Sequence, residues 1–232
     1  MVAPPAVTGV AWRRAVRIVP TQYPPVPFFE GALTPQEADD ALALAALFDP
    51  VARDLAGRVR GVPEADRAVG PGAGYVMAPF LYLSPEGGRF SDATFGAYYA
   101  AADGATAVAE TAFHRARFLA RTAEPPTRVD MRVLTADLAL DADDLRGRRA
   151  DHPALYAPDP ADYAAPQAFA RARRATGADG VVYESVRRAG GECAAAFRPR
   201  LVQGCRAAGH LTYQWDGRTI SHVYDVRLRA LP

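Results

Sequence analysis

The sequence predicts an α+β fold whose core is a mixed, mostly antiparallel sheet flanked by helices. Strand-like segments recur along the chain and outnumber a few helical ones. The stretch 210–228 contains Asp216-Gly217, a strong signal for a two-residue hairpin turn and therefore for antiparallel strands. Half of the 232 residues are hydrophobic, as expected for a packed core. Because the chain has no repeat or low-complexity linker, residues 1–232 are predicted to form a single domain.

The first part of the chain is predicted to contain one strand and one helix. The segment "AVRIV" (15–19) alternates as a strand does, and the prolines after it impose an extended path. The segment "TPQEADDALALAALFDP" (34–50) has the pattern of a helix. Thr34 is its candidate N-cap, Glu37 completes a capping box, and Pro50 ends it.

The middle of the chain is predicted to contain short strands before a long helix. Residues 51–75 are polar and glycine-rich, which predicts a long connection. The segment "GYVMAPFLYL" (74–83), interrupted by a proline, predicts two short strands, and "FGAYYAA" (95–101) is aromatic enough for another. The alanine-rich segment 104–122 is predicted to be a helix with Asp103 as its cap.

The remaining segments alternate between strand and helix. Period-two apolar residues predict a strand over 127–140. A helix is predicted over 166–176, with Gly177 as the residue that follows its C-terminus. The segments "DGVVYESVR" (179–187) and "GGECAAAF" (190–197) are predicted strands that precede the C-terminal hairpin.

Charge and hydropathy argue against two classes of partner. All 27 basic residues are arginine, and the formal net charge of +1 argues against a nucleic-acid binder. The arginines of "RARRATG" (171–177) are predicted to lie on a solvated helix face. No apolar run of about eighteen residues and no signal pattern is present, so a cytoplasmic protein without membrane contact is expected.

Cysteine and histidine give no metal-site pattern. The two cysteines, Cys193 and Cys205, are too few for a disulfide framework and are expected to be structural. The four histidines are scattered, and no pairing with the cysteines has zinc-site spacing. We therefore expect no bound metal.

Glu110 is the only acid of the predicted helix 104–122. Ala107 and Phe113 lie one turn away from it, which places Glu110 beside the apolar stripe of that helix. A carboxylate near the buried side of a helix needs a partner, because desolvating an unpaired charge is costly. Arg89, which follows two glycines, and a hydroxyl of a ligand are the candidate partners.

Each of these residues also fits an ordinary role when it is taken singly. An arginine after two glycines is most often a surface turn residue, and tyrosines of a strand are usually buried in the core. A glutamate on a helix usually faces solvent, and Ser185 fits a plain turn serine. A functional interpretation therefore depends on the set rather than on any one member.

The order of several short motifs resembles the RES domain, a family named for its arginine, glutamate and serine. The motifs are "GGRFS…YYA…TAVAE" and, later, "DGVVYESVRRAGGECAAAFRP". In that family an arginine follows paired glycines, a tyrosine ends a short strand, a glutamate lies in the next alanine-rich helix, and a serine follows a later hydrophobic strand. The residues of this chain that match those places are Arg89, Tyr99, Glu110 and Ser185.

The resemblance covers most of residues 13–200, with two departures. The segment "AVRIVPTQYPP" looks like the opening strand of the family, which carries an arginine, here Arg17. Phe90-Ser91 stands where the family often has tryptophan and asparagine, and the region 34–75 is longer than in compact members.

The resemblance implies a toxin of a toxin–antitoxin pair, with a fold similar to ADP-ribosyltransferases and with NAD as its substrate. It also implies a cognate Xre-type antitoxin, and hence a hetero-oligomer. No G-x-G-x-x-G motif follows a strand, so NAD is not expected as a redox cofactor on a dinucleotide-binding unit.

The same resemblance assigns roles that suit the chemistry of these residues. Cleavage of the nicotinamide–ribose bond passes through an oxocarbenium-like state, which the carboxylate of Glu110 would stabilise. Arg89, supported by Arg17, would bind the diphosphate, because guanidinium groups bind phosphate in a bidentate way. Tyr99 would stack on the nicotinamide ring. Ser185 would orient either the ribose or Glu110.

Three outcomes remain open from the sequence. A protein side chain can accept the ADP-ribose, which makes the chain a mono-ADP-ribosyltransferase, and the region 34–75 with the C-terminal hairpin slightly favours this acceptor. Water or phosphate can accept it instead, which makes the chain an NAD-degrading toxin. A rival of another class is a non-catalytic binding module that uses the hairpin aromatics Tyr213, Trp215 and Tyr224 as its surface.

Overall fold

The computed structural model describes residues 5–227 and has the predicted fold class, a mixed α+β fold with a mostly antiparallel sheet. Within those residues there are seven strands: β1 (Val7–Pro20), β2 (Tyr98–Ala101), β3 (Thr127–Asp144), β4 (Gly180–Glu184), β5 (Glu192–Ala196), β6 (Val202–Trp215) and β7 (Ile220–Val226). The α-helices are α1 (Pro27–Glu30), α2 (Pro35–Ala46), α3 (Pro50–Val59), α4 (Ala73–Leu81), α5 (Gly104–Arg121) and α6 (Ala164–Ala175). None of these helices is both long and apolar enough to cross a bilayer.

Five of the strands close into a ring. The sheet order is β1-β2-β5-β4-β3-β6-β7. Because β1 also pairs with β3, the first five strands of that order form a closed ring. Only β3 and β4 run parallel, and the other pairings are antiparallel. The ring is thinnest between β1 and β2, where Val16 and Ala101 form the one paired position. The hairpin of β6 and β7 extends the sheet beyond β3.

Alternate residues of the ring strands belong to two buried clusters on opposite faces, as strand geometry requires. In β4, Val181 and Tyr183 belong to one cluster and Val182 to the other. In β5, Cys193 and Ala194 divide in the same way. Both cysteines are free and buried, and burial raises the pKa of the Cys193 thiol and of the Cys205 thiol.

The helices α1–α4 form a third buried cluster, and three predictions for this region were wrong. Residues 51–75 are not a long connection, because α3 begins at Pro50 and Asp49 caps it by accepting the N–H of Val51. The segment 74–83 is not a pair of strands but contains helix α4. The predicted end of α2 at Pro50 is instead the first residue of the next helix.

The start of helix α4 is stabilised by a side chain that is distant along the chain. The carboxylate of Glu30 accepts the N–H groups of Gly72 and Gly74, both at 2.8 Å, and so satisfies donors at the start of α4. Gly72 has a φ of +84°, and a side chain there would collide with the carbonyl of Cys205. Pro79 lies inside α4 and has no N–H group, so the helix lacks the hydrogen bond from residue 79 to the carbonyl of Tyr75.

The C-terminal hairpin is present, but two of its three aromatics are buried. Tyr213 and Trp215 are fully buried, and only Tyr224 is exposed, at 44%. The Trp215 indole donates to the carbonyl of Glu124, and the Tyr213 hydroxyl lies 2.7 Å from that of Thr111. The hairpin therefore uses these side chains to pack against α5, and the predicted aromatic binding surface is not formed.

Candidate functional site

A cleft of about 580 Å³ opens beside α5. Its other walls are the end of β1, strand β2 and the loop of residues 82–92. Small-molecule sites typically occupy about 300–1,000 Å³, so the cleft is large enough for a dinucleotide-sized ligand. Of the predicted site residues, four line this cleft: Arg17, Arg89, Tyr99 and Glu110.

Helix α5 carries Glu110 into the cleft, and its start is fixed by local capping. The carboxylate of Asp103 accepts the N–H of Thr106 at 2.9 Å and the Thr106 hydroxyl at 2.7 Å. Asp103 is thus the cap that the sequence predicted. The Glu110 side chain is 21% exposed, as expected for a residue beside the apolar stripe.

Ser185, which follows β4, holds the Glu110 carboxylate. Its hydroxyl donates to Glu110 Oε1 at 2.6 Å. The Ser185 Oγ atom in turn accepts the backbone N–H groups of Arg187 and Arg188, both at 3.0 Å. Ser185 is buried and does not line the cleft, so it acts behind Glu110. Arg89 makes no ion pair with Glu110. The partner of the carboxylate is Ser185, in one of the two roles that the resemblance implied for this serine.

His114 lies one turn after Glu110, with its Nε2 atom 4.0 Å from the carboxylate. Partial burial among the cleft residues lowers the pKa of His114, although the Glu110 carboxylate opposes this shift. The imidazole is therefore mostly neutral at pH 7. Because a neutral ring does not form an ion pair, Glu110 keeps its negative charge uncompensated by His114.

Arg89 is buried and fixed rather than free in a turn, with 6% of its surface exposed. Its guanidinium donates to the carbonyl of Leu155 at 3.0 Å and to the Tyr163 hydroxyl at 3.2 Å. It also lies 4.6 Å from the centre of the Tyr163 ring. The preceding Gly88 is required by close packing, since a Cβ atom there would lie 2.7 Å from the Tyr99 hydroxyl.

Tyr99 contributes its ring to the cleft and its hydroxyl to the loop that carries Arg89. The hydroxyl accepts the N–H of Phe90 at 2.8 Å and lies 3.1 Å from the Ser91 hydroxyl. Burial raises the pKa of Tyr99 to about 12, so its hydroxyl remains protonated at neutral pH. Phe90 and Ser91 replace residues common in the resembled family, and both are buried parts of this loop.

Arg17 extends from β1 across the thin part of the ring. Its guanidinium donates to the carbonyl of Tyr99 at 2.9 Å and lies 4.9 Å from the centre of the Tyr98 ring. Burial lowers the pKa of Arg17, which at neutral pH still leaves the group charged. Arg17 has no carboxylate within 4.0 Å among residues 5–227, and the same holds for Arg89.

Several residues of the site region were not identified from the sequence. Asp92, which is buried, accepts two hydrogen bonds from Arg171 of α6 and so ties the loop after Arg89 to that helix. Arg173 of the same helix pairs with the fully buried Asp143 at 2.8 Å. The predicted solvated face is confirmed for Arg171, whose side chain is 60% exposed, and is wrong for Arg173, whose side chain is 28% exposed and pairs with a buried carboxylate. A helix pattern alone does not reveal carboxylates on distant segments.

Comparison with known proteins gives three findings. The model of the family described as RES domain matches residues 64–216, so helices α1–α3 and Arg17 lie outside the match. The chain is 30% identical over 212 residues to "Uncharacterized protein y4oC" of Sinorhizobium fredii (strain NBRC 101917 / NGR234), covering 90% of this chain and 85% of that protein. A solved structure, that of the M. tuberculosis MbcT–MbcA toxin–antitoxin complex, matches with a TM-score of 0.38 and 21% identity, over 57% of this chain and 74% of that chain.

Proposed function

This chain belongs to the RES domain family, and from that premise we propose that it is a toxin that cleaves the nicotinamide–ribose bond of NAD and transfers ADP-ribose to a protein. The observation that carries the proposal is the position of Glu110. This carboxylate is held by Ser185 in a cleft that Arg17 and Arg89 also line. Neither arginine has a carboxylate within 4.0 Å among residues 5–227.

Glu110 acts on the ribose as its bond to nicotinamide breaks. The bonding electrons leave with the nicotinamide ring, which becomes neutral, and the ribose develops positive charge at its anomeric carbon. The negative charge of Glu110 stabilises that carbon, and its second oxygen is free to accept a ribose hydroxyl. A nucleophilic side chain of the acceptor then bonds to the anomeric carbon and loses its proton.

The other residues of the cleft bind and orient the substrate. Arg17 bears a positive charge that suits a diphosphate, and Arg89 adds a second fixed charge. The ring of Tyr99 offers a face for the nicotinamide. Ser185 is assigned a positioning role, because it touches Glu110 and not the cleft. No described group of three or more histidine, cysteine, aspartate or glutamate side chains has the arrangement of a metal site, and the proposed reaction uses none.

A partner follows from the proposed activity. A chain that consumes NAD must be restrained in its own host, and we propose a cognate antitoxin of the Xre type that closes the cleft. Expression of the chain alone is expected to arrest growth, whereas co-expression with the antitoxin is expected to restore it. Growth arrest that persists when Glu110 is replaced would instead favour a non-catalytic binding module.

The decisive experiment uses NAD labelled in its adenylate portion. The purified chain, freed of any partner, is incubated with this substrate with and without a lysate of its host, and both nicotinamide release and label on protein are followed. A labelled protein band supports the transferase. Nicotinamide release without labelled protein supports transfer to water or phosphate, and thus an NAD-degrading toxin. If folded protein gives neither nicotinamide release nor labelled protein, the enzymatic function is rejected.

Replacement of the carboxylate tests the assigned residue. Glu110→Gln is expected to lower the rate of nicotinamide release about 10²- to 10³-fold, the typical cost of losing one preorganised electrostatic group. Glu124→Gln is the matched control, since Glu124 follows the same helix, is exposed and lies outside the cleft. Equal rates in the two variants would remove Glu110 from the mechanism.

A further inference from the structure

Five arginines line the cleft, and they differ in how their charges are compensated. Arg117 lies 3.4 Å from Asp159, and Arg121 lies 2.5 Å from Glu86. Arg17, Arg89 and Arg115 have no carboxylate within 4.0 Å in the part of the chain that the structure describes.

Arg115 of α5 also lacks the neutral partners that hold the other two. Arg17 and Arg89 donate to carbonyl or hydroxyl oxygens of the protein. The Nε atom of Arg115 is buried without a hydrogen-bond partner among residues 5–227. Its guanidinium lies 5.0 Å from the centre of the Phe118 ring, a contact that provides no hydrogen-bond acceptor for Nε. A buried donor without an acceptor is unfavourable, so the protein bears a cost that an anionic ligand would remove.

The position of Arg115 relative to Glu110 matches two parts of one elongated ligand. Five residues of α-helix correspond to a rise of about 7.5 Å and a rotation of about 140°. Arg115 therefore lies further along α5 than Glu110, and the two residues occupy opposite edges of the face that α5 turns towards the cleft. A ligand whose ribose contacts Glu110 would reach Arg115 with a group several bonds away, which in a dinucleotide is the diphosphate.

The charge of the cleft suits a ligand with two negative charges. Besides its five arginines, the cleft is lined by three carboxylates, those of Glu86, Asp92 and Glu110. The neighbouring His114 is mostly neutral, because its pKa is lowered. The lining therefore carries an excess of two positive charges at neutral pH, and the diphosphate of a dinucleotide carries two negative ones.

We propose that Arg115 binds the diphosphate of the substrate and so places the nicotinamide–ribose bond at Glu110. The identity of the substrate rests on the proposed function, whereas the anion site rests on the geometry of Arg115 alone. Arg115 belongs to none of the motifs on which the family resemblance was based. Because the diphosphate does not change during the reaction, Arg115 acts on binding, and its loss is expected to raise KM far more than it lowers kcat.

Binding of inorganic pyrophosphate and of ADP to the full chain tests the anion site by calorimetry. Arg115→Gln is expected to raise the Kd of both about 10- to 100-fold, as for the loss of a charged hydrogen-bond donor. Arg218→Gln is the control, because it removes the same charge from the exposed hairpin turn, away from the cleft. If the glutamine variant does not fold, Arg115→Met serves as a second variant, because it keeps a long side chain at this position and removes the charge, and its Kd values are expected to rise to the same extent.

The outcomes separate this inference from the proposed function. Pyrophosphate that does not bind the wild-type chain, or that binds both Arg115 variants as tightly as the wild type, overturns the site. Loss of pyrophosphate binding in the variants supports it, even if the wild-type chain does not cleave NAD, in which case only the proposed function fails. If NAD is cleaved, a rise in KM of similar size with kcat nearly unchanged is the further expected result.

Discussion

Ser185 holds the Glu110 carboxylate from behind the cleft, and this contact was only partly predictable. The residues of the helix suggested Arg89 or a hydroxyl of a ligand as the partner of Glu110, whereas the resemblance implied that Ser185 orients either the ribose or Glu110. The structure pairs Ser185 with Glu110. Seventy-five residues separate Ser185 from Glu110, so no local pattern relates them. Arg89 instead donates to Leu155 and Tyr163, which lie between the predicted strand 127–140 and the predicted helix 166–176, where no element was predicted.

Ser185→Ala is expected to lower kcat for nicotinamide release about 10-fold or more while KM changes little. The hydrogen bond to Glu110 is charge-assisted and worth about 1.5–3 kcal/mol, and it orients a group that acts on the transition state. Ser185→Thr, which keeps the hydroxyl, is expected to recover most of the rate. Ser221→Ala on β7 is a suitable control outside the cleft.

A purely structural role for Ser185 makes a different prediction. In that case the alanine variant would lose thermal stability, and kcat measured on its folded fraction would equal that of the wild type. Such a result would contradict the positioning role, whereas a rate loss in a variant of unchanged Tm would support it.

At the scale of elements, local signals predicted α5 correctly and failed for α4. The cap of α5 is contained in its own sequence, because Asp103 and Thr106 are three residues apart. The start of α4 depends on Glu30, which is more than forty residues away along the chain. A cap supplied by a distant side chain cannot be recognised in a short stretch of sequence. The proline in 74–83 was therefore interpreted as a break between two strands, although the segment contains a helix.

Asp103→Ala is expected to lower the free energy of unfolding by about 1 kcal/mol at pH 7, the usual cost of losing an N-cap. Hydrogen bonds from the hydroxyl and N–H of Thr106 lower the pKa of Asp103. The stabilisation is therefore fully present above the unfolded pKa of about 3.9 and is lost as the pH falls through the lower pKa of the folded state.

Denaturant titrations of both proteins at pH 7 and at acid pH measure this difference. The two free energies of unfolding are expected to converge only in acid, below the unfolded pKa of aspartate. A gap that persisted undiminished in acid would assign the stability of the α5 start to something other than the Asp103 carboxylate.

At the scale of the molecule, the fold class was predictable and the closure of the ring was not. The C-terminal hairpin was found from Asp216-Gly217, where Gly217 has a φ of +96° as such a turn requires. The pairing of β1 with β3 joins residues more than one hundred positions apart, from Val7 with Asp143 to Pro20 with Met131. Alternating residues predict that a segment is a strand, but they do not specify its neighbours.

Closure of the ring determines how the molecule exchanges its amide hydrogens. Strands β4 and β5 have paired neighbours on both sides, whereas β7 is the last strand of the described sheet and is exposed along its length. Amides of β4 and β5 are expected to exchange with deuterium only through global opening, and those of β7 through local fraying. Mass spectrometry of exchange at increasing urea measures this, and equal protection of β4 and β7 would contradict it. The shortest strand pairing of the ring, that of Val16 with Ala101, lies beside the cleft. Local opening that leaves the rest of the sheet paired is therefore expected to begin at the candidate site.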